Sequence, residues 1–123
     1  MRQAFAHEAV LVMGPDADLR APGAAVTVAL CGEWEHEPPC PLAPHHTRAD
    51  RVGGDEVRLR VLFATEPDAE TTVRQLIQEA LSGGHLDGPD GTTTWRLHDS
   101  QHSDVKPDER VHADRLISEP AAE

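Results

Sequence analysis

The sequence contains no tyrosine, no asparagine and a single lysine, Lys106, against ten arginines. This bias fits the coding habit of a GC-rich genome and carries no functional weight. Aromatic residues make up 3% of the chain and apolar residues 38%, so any core is small and mostly aliphatic. A small core gains from a metal, a disulfide or a second subunit. No apolar run approaches the roughly 18–20 residues that span a bilayer. No basic stretch followed by an apolar one opens the sequence, so a cleaved secretory signal is not expected and a cytoplasmic location is the default. Positive charge is also scarce. The formal net charge of -11 excludes sequence-independent binding to nucleic acid or to acidic membranes, both of which need a basic footprint. It leaves metal ions, cationic partners or mimicry of nucleic-acid charge.

At 123 residues the chain is one domain by length, expected over 1–100, with a polar and partly flexible tail over 101–123. Residues 4–13, AFAHEAVLVM, read as a first strand that Gly14-Pro15-Asp16 breaks. Residues 25–31, AVTVALC, read as a second, with Val26, Val28 and Leu30 on one face. A long loop then runs over 32–54. The pattern is clearest over 56–65, where Val57, Leu59, Val61 and Phe63 alternate with Arg58, Arg60, Leu62 and Ala64. A helix follows, with Val73, Leu76, Ile77, Ala80 and Leu81 forming its apolar stripe and Gly83-Gly84 ending it. Residues 92–98, TTTWRLH, complete a β-β-β-α-β order. The expected fold is therefore a two-layer α+β sandwich with one main helix on a mostly antiparallel sheet. It resembles part of a ferredoxin-like sandwich lacking its first helix, a likeness of arrangement that implies no function.

Both cysteines lie in the stretch CGEWEHEPPCPLAPHHT, residues 31–47, with three of the eight histidines and four prolines. The prolines exclude a helix and stiffen the backbone. Cys31, His36, Cys40 and one of His45 or His46 form a Cys-x4-His-x3-Cys-x4-His-His set of thiolates and imidazoles, suited to Zn or Cu. His98 is a reserve ligand. The spacing matches no established zinc motif, and the rival for the thiols is a Cys31–Cys40 disulfide, disfavoured in a reducing compartment. The leading expectation is a small metal-binding protein, acting in metal handling or as a metal-ordered accessory domain. Catalysis has little support: Cys40 beside His36 or His45, or Glu35 or Glu37 beside a metal-bound water, lacks any accompanying motif. The second expectation is a metal-free interaction module. Arg58, Arg60 and Arg96 would share the sheet face opposite the helix and dock an acidic partner or a second copy of the chain. An acidic mimic of nucleic acid is the third.

Overall fold

The alternation over 56–65 becomes the strand Glu56–Thr65 (β3), which lies inside a four-stranded sheet. The computed structural model describes residues 2–31, 43–88 and 91–118. Its elements are β1 (Gln3–Val12), α1 (Ala21–Cys31), β2 (His45–Gly53), β3, α2 (Glu70–Ser82), β4 (His85–Gly88), β5 (Gly91–Thr94), β6 (Arg96–Ser103) and α3 (Arg110–Ser118). The fold is mixed α+β. The main sheet runs β2-β3-β1-β6 with every neighbouring pair antiparallel, and β4 and β5 form a separate hairpin. Among the described residues no helix is long and apolar enough to cross a membrane.

The inner face of the sheet carries Leu11, Val57, Leu59, Val61 and Phe63, all buried. Val26 and Leu30 of α1 and Val73, Ile77 and Leu81 of α2 close over them. Each such side chain taken out of water contributes roughly 1.5–3 kcal/mol. The α2 stripe is the one the sequence shows, and Gly84 follows the helix at φ 72°, a left-handed turn that a side chain would resist. Trp95 plugs the end of this core, its indole Nε1 donating to the Leu81 carbonyl at 2.9 Å.

Several expectations are corrected. Residues 25–31 belong to helix α1, whose buried positions Ala21, Pro22, Ala25, Val26 and Leu30 recur with helical spacing. The order is therefore β-α-β-β-α followed by a hairpin, β6 and α3. The loop expected over 32–54 contains β2, and the turn-rich stretch 85–91 holds β4 and the start of β5. Residues 92–98 divide between β5 and β6. Beyond residue 100 lie the end of β6, a 3-10 turn (Pro107–Glu109) and α3.

Contact between α1 and β2 depends on Gly23. A Cβ there would stand 2.5 Å from Thr47 Oγ1 and 3.1 Å from Thr47 Cβ. Thr47 is β-branched and set in a strand, so it cannot swing away freely. Gly23→Ala is expected to cost about 1–2 kcal/mol in urea unfolding, and Thr47→Ser in the same chain should leave that loss largely in place because Oγ stays. Thr47→Ala should recover part of it. A Gly23→Ala variant as stable as the parent would refute this close contact.

Candidate functional site

Strand parity separates the histidines that the sequence groups together. His45 and His46 are adjacent in β2 and point to opposite faces. His45 turns inward, where Nδ1 donates to the Ala43 carbonyl at 3.1 Å and Nε2 meets Thr27 Oγ1 at 2.9 Å. His46 turns outward and stacks on His112 of α3, with ring centroids 4.2 Å apart. Partial burial, then the charges of His112 and Arg48, hold His46 below the ordinary histidine range. Cys31 closes α1 instead of ending a strand. His36 and Cys40 lie outside the described residues, as does the disulfide alternative. His98 is exposed at the irregularity where β6 shifts register against β1. Among the described residues no three His, Cys, Asp or Glu side chains come together to hold a metal ion. That finding overturns the metal-binding reading.

One internal constellation has the composition of a catalytic site but the wrong polarity. His7 is buried, with Nδ1 accepting from Arg74 Nη1 at 3.1 Å and Nε2 at 2.7 Å from Ser100 Oγ. A guanidinium only donates, so Nδ1 must be bare and Nε2 must carry the proton toward Ser100. A serine nucleophile needs the reverse, a bare nitrogen to receive its proton. Burial and the Arg74 charge lower the His7 pKa to about 4, which keeps the ring neutral. Arg74 also donates to the Ala6 carbonyl at 2.7 Å and to Glu70 at 2.7 Å. The group ties α2 to β1 and β6. No local pattern signals it, since Arg74 and Ser100 are 67 and 93 residues from His7.

A cleft of about 830 Å³ separates α1 from the β4–β5 hairpin. Two of its carboxylates are already engaged, Asp18 by Arg20 and Asp87 by the Thr92 hydroxyl.

The outer face of the sheet is divided. At one end α3 covers Ala6, Leu62 and Ala64 with Leu116. Next comes Arg60, expected on an open docking surface but only 4% exposed. It donates to both Glu109 oxygens at 3.0 and 2.8 Å, to Glu8 at 3.3 Å, to Ser103 Oγ at 2.7 Å and to the Asp104 carbonyl at 3.1 Å. All five of its N–H groups are used inside the chain, so its role is to anchor the start of α3. The Arg60 hydrogen bonds hold the Glu109 carboxyl below the usual range.

Past Arg60 the face is uncovered by α3. Residues directly opposite on antiparallel strands share a face. One outer row is therefore Asp50, Arg58, Val10 and Asp99, and the next is Glu56, Val12 and Arg96. The charged members are exposed and the valines half-buried. Arg58 and Arg96 do share this face, in the company of an equal or greater number of carboxylates. No protein-family model, no curated protein and no solved structure matches the chain.

Proposed function

We propose that this chain is a protein-interaction domain that docks through the half of its outer sheet face that α3 leaves open. The sheet order with α1 and α2 on one side is read as a ferredoxin-like sandwich with an added hairpin and an outer helix. The supporting observation is the pair of rows around Val10 and Val12, where half-exposed aliphatic side chains are framed by exposed charges of both signs. A sheet face turned permanently to water has little use for valine at its centre, whereas an apolar centre within a polar rim is the composition of an interface. The balance of charge bears on the chemistry of the partner. Asp50, Glu56 and Asp99 offset Arg58, Arg96 and Arg48, so the fitting partner is itself a folded surface of alternating charge and aliphatic contact.

Site-specific photo-crosslinking in cells tests this reading. A crosslinker at Val12 is expected to give a discrete protein adduct that one at Gln78, exposed on α2, does not give. The adduct should disappear when Arg58→Glu and Arg96→Glu are combined. Equal adducts from both positions, or none from Val12, would remove the proposal.

A further inference from the structure

We infer that the partner on this face is a second copy of the chain, related by a two-fold axis that lies in the face and crosses the strands between the two open rows. The inference rests on the docking reading above. It follows from the order of charges. In one row Arg58 and Asp99 flank Val10; in the next Glu56 and Arg96 flank Val12, with the signs reversed. Rotation about an axis between the rows lays each row of one copy on the other row of its mate. Glu56 then meets Arg58 of the second copy, Arg96 meets Asp99, and Val12 meets Val10. Symmetry forms every contact twice, the defining property of an isologous interface.

A second rotation, about an axis along β1, also opposes unlike charges, pairing Glu56 with Arg96 and Arg58 with Asp99. The position of α3 excludes it. That axis keeps both copies of α3 at the same end of the interface, one on top of the other. Two helices of about 10 Å diameter would hold the sheets roughly twice the usual ~10 Å apart, beyond the reach of valine. The axis across the strands sends the two helices to opposite ends. Each then lies beside the β2–β3 hairpin of the other copy, and its thickness matches the ordinary spacing of packed sheets. The same overlap brings together Val52 at the hairpin and Val111 at the start of α3, 43% and 67% exposed, the exposed large hydrophobics among the described residues. Two rows make a small patch, so the dimer is reversible and dependent on concentration, below the ~800 Å² per partner typical of stable complexes.

Sedimentation of the purified full chain over a concentration series reads this directly. The parent should show a monomer–dimer equilibrium that weakens with added salt. Glu56→Arg alone places like charges together twice and should weaken association roughly tenfold or more. Adding Arg58→Glu to that variant reverses both members of each pair and should restore the dimer. Adding Arg96→Glu instead should not. Arg58 lies 3.9 Å from Glu8, so Arg96→Asp with Asp99→Arg provides a second compensated swap that leaves that contact alone. Restoration by Glu56→Arg with Arg96→Glu, but by neither compensated swap, would overturn the proposed axis. A chain that remains monomeric at every concentration would overturn the dimer itself. In that event Val12 adducts of a different protein would leave the docking reading standing, and absence of adducts would remove both.

Discussion

Arg60→Leu is expected to lower the free energy of unfolding by about 3–5 kcal/mol, the usual loss when one partner of a buried ion pair is removed. The guanidinium is 4% exposed and the Glu109 and Glu8 side chains 11% and 18%. Deleting the cation leaves Glu109 with the Lys106 backbone N–H at 2.9 Å and Glu8 with Arg58 at 3.9 Å, both carboxylates still largely shut off from water. It also leaves the Ser103 hydroxyl and the Asp104 carbonyl without their donor. The loss should appear in urea unfolding. Amide exchange should show α3 losing protection before β1 and β3 do, because Glu109 stands at the entrance to that helix. The cause is separable from simple loss of packing. Glu8→Gln and Glu109→Gln added to Arg60→Leu should recover much of the stability, since neutral amides tolerate the site better than charges that have lost this cation. Stability of Arg60→Leu within about 1 kcal/mol of the parent would show that the network contributes nothing net.

Acidification is expected to destabilise the fold through His7. Its ordinary value of 6.5 falls to about 4 in the folded chain, mainly through burial and secondarily through the Arg74 charge. Between these two values the unfolded chain binds a proton that the folded chain refuses. Stability is therefore fully present above pH 6.5, declines as pH falls toward 4 and levels off below it. The loss attributable to His7 amounts to about 3 kcal/mol across that window. His46 is shifted in the same direction and adds a smaller contribution of the same sign. Glu109, held below its usual range by Arg60, also loses its contribution on acidification, but at lower pH as its carboxylate protonates. The check is unfolding free energy against pH for the parent and for His7→Gln, which keeps hydrogen-bonding capacity without titrating. The parent should lose more than the variant on going from neutral pH to about pH 4. Parallel curves would mean that His7 is not the source.

What was legible in the sequence was the part governed by local period. The β3 alternation and the α2 stripe place those elements because both bury a continuous apolar series. The first helix looks like a strand because Val26, Val28 and Leu30 satisfy strand parity while Ala21, Ala25, Val26 and Leu30 satisfy helical spacing, and β-branched residues favour the former. The second strand is hard to see in the sequence because its inward positions, His45, Thr47, Ala49 and Arg51, contain no large aliphatic side chain. The continuation of β6 past His98 is hidden for a related reason: the inward position there is Ser100, a half-buried hydroxyl that His7 bonds at 2.7 Å. α3 shows just two buried apolar positions, Ala113 and Leu116, too few to define a period. At the site, parity alone put Arg58 and Arg96 on one face. The burial of Arg60 could not be read, since it depends on Glu109, which lies 49 residues away, and on Glu8, 52 residues away.

Arg60 also sets an order of events during synthesis. Ser103, Asp104 and Glu109 follow it by 43, 44 and 49 residues. By the time α2 has left the ribosome, β2, β3 and β1 can already be paired. Yet one edge of β1 still awaits β6, and Ala6, Leu62 and Ala64 still face water until Leu116 arrives. A ribosome stalled between these points displays an open central strand beside a bare apolar patch and a guanidinium paired with Glu8 alone. Such a nascent chain is a ready target for chaperones, and the anchor that completes the native surface is also what ends its exposure.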